Sequence, residues 1–262
     1  MAKVIDKLWN WGHLEGSHNK VCNMECNMSP EEFAKEYGIK NSFIVSYGGN
    51  IQPPYHDLAK RMSSLKQIKW SVLGDASTPL PEARLGHTQD VINVSKTAEN
   101  ITGGVVDDFF SPKRIQRFTP DVLAEMKDAL NKNGLDFWCV LYKDNMDDKL
   151  IPYLECFDGV SFWIWACKDI EKKEEYLEKA FSLIGDKKIM LGVYLWDYGG
   201  DPTGPMDETL FRKQMTLYFD LLQKGKIEGI IFCSNTIGDS DLETCKILKE
   251  YIAEYGDREV AE

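Results

Sequence analysis

Two adjacent carboxylates, Asp107 and Asp108, close the apolar run Gly103-Gly-Val-Val-Asp-Asp-Phe-Phe110. Burying either charge without a task is costly, because desolvation disfavours the ionised form. Carboxylates that share a site also push their proton affinities apart, which allows one acid and one anion at a single pH. Cleavage of a glycosidic bond needs that division of labour. One group protonates the leaving oxygen while the other attacks, activates water or steadies positive charge at the anomeric carbon. Asp197, at the end of another apolar run, is a third candidate that could work with one of the pair. Successive residues of a strand point to opposite sides, so only one of Asp107 and Asp108 can face a common site unless the strand is already breaking. The bland alternative, a helix cap or a structural ion pair, is weakened because the next helical pattern starts only near Thr119.

Other residues could hold a ligand beside such acids. Trp9, Trp11, Trp138, Trp163, Trp165 and Trp196 all lie in or just beyond strand-like runs, and the apolar C–H faces of a pyranose stack on indole. Trp163 shares strand parity with Trp165, and Tyr194 with Trp196, so each pair is expected to line one face. Core packing is the alternative for any single one of them. His13, Glu15, Tyr47, Lys143 and Asn235 follow other apolar runs and join Trp163, Trp165, Tyr194 and Trp196 as expected substrate ligands. His13, His18, Cys22 and Cys26 invite a zinc reading, but their spacing matches no paired C-x-x-C site, so no metal is expected. Lys143 and Lys168 are candidate Schiff-base lysines, yet Asp144 and Asp169 beside them would raise their proton affinity, where such chemistry needs it lowered. A sugar aldolase or isomerase and a non-catalytic carbohydrate-binding barrel remain the alternatives. The barrel-type binder would keep the tryptophans and have no use for paired acids.

The elements that must position these residues alternate in type. Apolar strand-like runs centre on 7–11, 42–47, 68–73, 103–108, 135–142, 159–165, 188–196 and 228–233. Between them lie helical patterns, the first opening at Ser29-Pro-Glu-Glu32, with serine as N-cap and proline at the first helical position, and ending at Gly38. Strands apolar nearly throughout belong to a parallel sheet covered on both faces. Eight such units in 262 residues predict an α/β fold, a single (β/α)8 barrel spanning residues 1–262. An open doubly wound sheet would want a glycine-rich phosphate loop after the first strand, and Trp11-Gly-His-Leu-Glu-Gly-Ser17 does not supply one; for the same reason no organic cofactor is expected. The long irregular stretches 12–28, 75–86 and 197–207 all follow strands, which puts them on the rim where barrel sites are built. The short basic run Ser111-Pro-Lys-Arg-Ile-Gln-Arg117 reads as a solvated loop.

Composition narrows the partners. Hydrophobic residues make up 43% and charged residues 28%, as in ordinary globular proteins. A formal net charge of −11, from 42 acidic and 31 basic residues, would repel a polyphosphate backbone, so a small-molecule or oligosaccharide substrate is expected and nucleic acid is not. No apolar stretch is long enough to span a membrane, and the N-terminus lacks a signal core. Seven scattered cysteines, several inside apolar runs, suit a reducing compartment, and the cytoplasm is expected.

With acid chemistry at the end of its fourth strand, the chain resembles the (β/α)8 glycoside hydrolases. Its Asp107-Asp108 pair is similar to the adjacent aspartates of O-GlcNAcase-type hexosaminidases, a likeness carried by the short segment 103–110. The resemblance implies that Asp107 orients the substrate's own N-acetyl group as nucleophile and that Asp108 is the general acid. The seventh strand, Leu191-Gly-Val-Tyr-Leu-Trp-Asp197, lacks the glutamate nucleophile of the large retaining clan, so the resemblance does not extend there.

Overall fold

Eight parallel strands close into a barrel in a computed structural model that describes residues 2–261. They are β1 (Leu8–Gly12), β2 (Asn41–Ile44), β3 (Gln67–Ser71), β4 (Ile101–Val106), β5 (Asp136–Tyr142), β6 (Gly159–Trp163), β7 (Lys188–Tyr194) and β8 (Gly229–Cys233). Closure is made by β1 lying beside β8, with Leu8 opposite Ile230 and Asn10 opposite Phe232. The expected (β/α)8 barrel is therefore the observed fold.

Local chemistry accounts for the helices that cover the barrel. Ser29 Oγ accepts from the Glu32 N–H at 3.1 Å while the Glu32 carboxylate accepts from the Ser29 N–H at 2.8 Å, a reciprocal cap at the start of helix Pro30–Tyr37. Gly38, at φ +72°, ends it in the left-handed region that glycine enters without cost. The helix that follows β5 is short. A 3-10 turn, Asp148–Leu150, leads into Ile151–Leu154, because Pro152 has no N–H to give and can sit only in a first turn.

The apolar residues divide into two layers. Between strands and helices lies the larger core, which includes Phe33, Trp70, Phe109, Phe137, Phe211 and Tyr218. Inside the barrel lies a second cluster, built on Trp9, Trp11, Phe43, Trp138, Trp163 and Tyr194. Two glycines make room for its indoles. A Cβ on Gly159 would sit 2.5 Å from the Trp138 ring, and one on Gly192 would overlap Trp163. At the opposite end from the loops that follow the strands, Lys69 of β3 reaches the Asp136 carboxylate at 2.5 Å. Its ammonium lies over the Trp9 and Trp138 rings at 5.7 and 6.0 Å. The barrel floor is thus a paired charge packed under aromatic rings, and Gly103 is small because a Cβ there would strike Asp136.

Candidate functional site

The strands expected to reach Tyr47, Asp107 and Asp108, Trp165 and Trp196 stop short of them. β4 ends at Val106, so Asp107 and Asp108 belong to the turn beyond it. Asp108 adopts φ +46°, a left-handed conformation that costs a non-glycine residue about 1 kcal/mol or more and that aspartate tolerates better than most. The turn folds the Asp108 N–H back onto Asp107 Oδ1 at 2.8 Å. Strand alternation no longer applies there, and both carboxylates line the same cavity.

That cavity has a volume of about 650 Å³, within the range of small-ligand sites. Going around the mouth, Trp11 and His13 follow from β1, Tyr47 from β2, Asp75 and Ala76 from β3, and the two aspartates with Phe110 and Ser111 from β4. Tyr142, Asp144 and Asn145 come from β5, Trp165 from β6, Tyr194 and Tyr198 from β7, and Cys233 from β8. The wall is mainly aromatic on the β6–β7 side. Trp165 stacks on Tyr198 with ring centroids 5.8 Å apart, and Tyr194 meets Trp165 edge-on at 5.4 Å.

The two acids have different surroundings. Asp107 is only 5% exposed, and burial first, then the neighbouring charges of Asp108 and Asp75, raise its proton affinity well above the usual carboxylate range. Asp108 is half-buried and its oxygens accept two hydrogen bonds, Oδ1 from the Tyr142 hydroxyl at 2.9 Å and Oδ2 from the Ala76 N–H at 2.9 Å. The arrangement thus sets a proton-retaining Asp107 beside a carboxyl whose two oxygens are both met by donors. Asp75 is a scaffold: its Oδ1 accepts from the Gly48 and Thr78 N–H groups and from Thr78 Oγ1, and its Oδ2 accepts from Ser77 Oγ.

Across the mouth, His13 and His18 meet edge-to-face at 4.7 Å. Burial pushes the His13 imidazole down to about 4, and burial together with His13 also pushes His18 well down. Both rings are therefore neutral at ordinary pH. His18 Nδ1 lies 2.7 Å from Thr236 Oγ1 and 2.8 Å from Ser234 Oγ. His13 Nδ1 is buried and, among the described residues, has no hydrogen-bond partner.

The structure gathers some of the expected residues and disperses others. Asp107, Asp108, His13, Tyr47, Trp165 and Tyr194 all line the cavity. Asp197 does not: its Oδ1 accepts from the Cys167 and Gly199 N–H groups at 3.0 and 3.2 Å and shapes the loop after β7. Glu15 is drawn outward into an ion pair with Arg61 at 2.9 Å, and Lys143 into pairs with Asp144 and Asp169 at 2.5 and 3.2 Å. Trp163 lies inside the barrel below the cavity, its Nε1 donating to Ser161 Oγ at 3.0 Å. Trp196 is buried in the outer core, because β7 ends at Tyr194 and the chain turns before the shared parity can apply. Asn235 is a clamp, with Nδ2 donating to the carbonyls of His13 and Met28 and Oδ1 accepting from the His13 N–H.

Arg114 is a buried residue beside the acids that sequence reasoning passed over. The run 111–117 is not a solvated loop: Ser111 precedes helix Pro112–Arg117, and Arg114 is 3% exposed. The serine-proline pair was the readable signal, since it marks a helix start. His18, Tyr142 and Tyr198 were also absent from the expected ligand set. Tyr142 is the last residue of β5 and has the same parity as Trp138 and Val140 of the inner cluster, a pattern that points it into the mouth. Among the described residues, no three or more His, Cys, Asp or Glu side chains converge so as to hold a metal ion. All seven cysteines are free and buried.

No protein-family profile matches the chain, and no curated protein matches it in sequence. Solved structures do match in fold. The spore cortex-lytic enzyme SleL of Bacillus megaterium QM B1551 superposes with a TM-score of 0.60 at 14% identity, covering 97% of this chain and 75% of that one. A chitinase from Chromobacterium violaceum gives 0.60 at 10% identity, covering 94% of this chain and 98% of that one. The tryptophan synthase α-subunit of Pyrococcus furiosus, an enzyme of different chemistry, gives 0.53 at 13% identity and covers 97% and 99%. At these identities the likeness establishes the barrel, which hosts many unrelated reactions.

Proposed function

We propose that this chain is a glycosidase-type hydrolase that cleaves a glycosidic bond at the mouth of its barrel. The carrying observation is the pairing of a buried, proton-retaining Asp107 with a hydrogen-bonded Asp108 in one aromatic-walled cavity. In this reading Asp107 protonates the leaving oxygen, and Asp108 faces the positive charge that develops at the anomeric carbon. It does so either by attack or by steadying a nucleophile that the substrate supplies. These roles are the reverse of those implied by the resemblance to hexosaminidases, and the reason is physical: the acid must keep its proton, and Asp107 is the residue whose surroundings hold one. Trp165, Tyr194 and Tyr198 offer faces for pyranose stacking, while neutral His13 and His18 offer hydrogen bonds to hydroxyls without adding charge. A small-molecule glycoside or an oligosaccharide is the proposed substrate.

A panel of chromogenic glycosides, N-acetylhexosaminides included, tests the reading, with proton NMR of the first anomer released. Asp107→Asn should lose most activity toward poor leaving groups yet keep much of it toward dinitrophenyl glycosides, which depart without a proton. Asp108→Asn should be slow toward both. The opposite pattern would exchange the two roles, and turnover of an aldol or ketose substrate in place of every glycoside would overturn the function.

A further inference from the structure

The guanidinium of Arg114 lies beneath the acid cluster and yet makes no ion pair with it. Its Nη1 donates to the carbonyls of Gly74 and Asp107 at 2.9 and 2.7 Å, and its Nη2 donates to the carbonyl of Asp75. Three backbone oxygens from two chain segments, the turn after β3 and the turn after β4, thus converge on one planar fork. An arginine that is 3% exposed commonly pairs with a carboxylate, because an uncompensated buried charge is expensive. Three carboxylates stand close enough to act on it electrostatically, Asp107, Asp108 and Asp75, but each keeps its oxygens for other partners or for the cavity.

We infer that Arg114 is a positioning residue, one that ties the ends of β3 and β4 into a single unit and holds the acid pair over a fixed positive charge. The inference rests on the glycosidase reading of the cavity and adds to it a residue that touches no substrate. The geometry explains two features together. The Asp108 backbone is held at φ +46°, and its Oδ2 is met by the Ala76 N–H, which belongs to the other tied segment. If the two turns moved independently, the donor and the strained acceptor would separate. The positive charge also opposes the crowding of three acids. Asp107 is faced by Asp108 in its own turn, Asp75 from β3, Tyr142 from β5, Tyr194 from β7 and Cys233 from β8, and the Arg114 cation acts against them.

Two substitutions separate charge from geometry. Arg114→Gln keeps amide donors and removes the charge. It should move the alkaline limb of the kcat/KM profile upward by about one pH unit, because Asp107 then holds its proton more firmly, with KM changed less than threefold. Arg114→Lys keeps the charge and loses the fork. Its alkaline limb should stay near that of the parent while kcat falls about tenfold or more. Thermal unfolding of each variant reports the folded fraction. If activity falls only in step with that fraction and both profiles keep their limbs, the arginine serves the fold alone and the inference is overturned, as it is if neither variant folds. Should the parent enzyme turn over no glycoside, the proposed function fails separately. Arg114 is then judged by carbon-13 NMR titration of the Asp107 carboxyl in parent and Arg114→Gln, where an unmoved midpoint overturns the inference.

Discussion

Charge is buried at both ends of this barrel, in opposite ways. On the floor, Lys69 and Asp136 meet directly at 2.5 Å, cation against anion, with aromatic rings around the ammonium. At the mouth, Asp107 and Asp108 sit side by side, and the nearby cation, Arg114, spends its donors on carbonyls. A direct pair satisfies both partners and leaves nothing for a ligand. A crowded acid pair with its cation turned away leaves one carboxyl proton-hungry and open to the cavity. The first arrangement closes a structure, and the second keeps a proton at the wall of a cavity.

The largest test of that contrast is at Asp107. Asp107→Asn should cut kcat/KM by about a thousandfold or more for glycosides with poor leaving groups. Stability should hold or rise, because the amide is buried without the proton uptake that burial and two acidic neighbours impose on the carboxyl. The sign of the pH effect follows. Asp107 holds its proton above its ordinary 3.8, so the folded state binds more protons than the unfolded one, and stability falls as pH rises from 3.8 through the raised value. In Asp107→Asn that decline should flatten, as read from melting temperatures across the pH range. A decline unchanged from the parent would mean that the acid is not proton-retaining.

The floor should respond the other way. Lys69→Met leaves the Asp136 carboxylate without its cation, and because Asp136 is 24% exposed the cost should be near the low end for a buried pair, about 3 kcal/mol. That corresponds to a fall in Tm of roughly 6 °C for a chain of this size. Burial lowers the Lys69 proton affinity although Asp136 opposes it, so the unfolded state binds more protons and stability from this residue rises as pH climbs toward 10.5. The kcat/KM of the folded fraction should be unchanged. A shifted pH–rate profile in Lys69→Met would show that the two ends are electrically coupled and would break the contrast.

Tyr142→Phe sharpens it on the mouth side. The phenol donates to Asp108 Oδ1 at 2.9 Å, and a hydrogen bond to a charged group is worth about 1.5–3 kcal/mol. Its loss should lower kcat/KM about tenfold, read against the parent on the same glycoside. An unchanged kcat/KM would remove Tyr142 from the working site.

The barrel was legible because its signal is repeated: each apolar strand and each capped helix, such as Ser29-Pro30 through Gly38, carries the same message in a new place. The acid pair was legible because two carboxylates at the end of an apolar run have few structural uses. Side-chain direction beyond a strand's last residue was not. Parity placed Trp196 with Tyr194, but parity holds only while the chain is extended, and β7 stops at Tyr194. The same failure favoured the acids, since the left-handed turn at Asp108 brings both carboxylates to one cavity. Partners distant in sequence were likewise hidden. Nothing near Arg114 announces that Gly74 and Asp75 will supply its acceptors, or that Arg61 will draw Glu15 out to the surface.

Asp197 gives the smallest expected effect and the finest discrimination. Sequence position made it a third acid, and the structure makes it a loop anchor whose Oδ1 accepts from two backbone N–H groups. Asp197→Asn keeps one carbonyl oxygen that can accept from the Cys167 and Gly199 N–H groups, so a scaffolding role predicts kcat/KM within about threefold of the parent and a stability loss of about 1 kcal/mol. The profile should keep both limbs, because no proton leaves or enters the cavity at this position. Asp197→Ala removes both acceptors and should raise KM more than it lowers kcat, since the loop it shapes carries Tyr198 into the cavity wall. A hundredfold fall in kcat for the asparagine variant would mean that the loop moves on substrate binding and delivers this carboxylate after all. The division between a catalytic mouth and a structural periphery would then run through the β7 loop and not outside it.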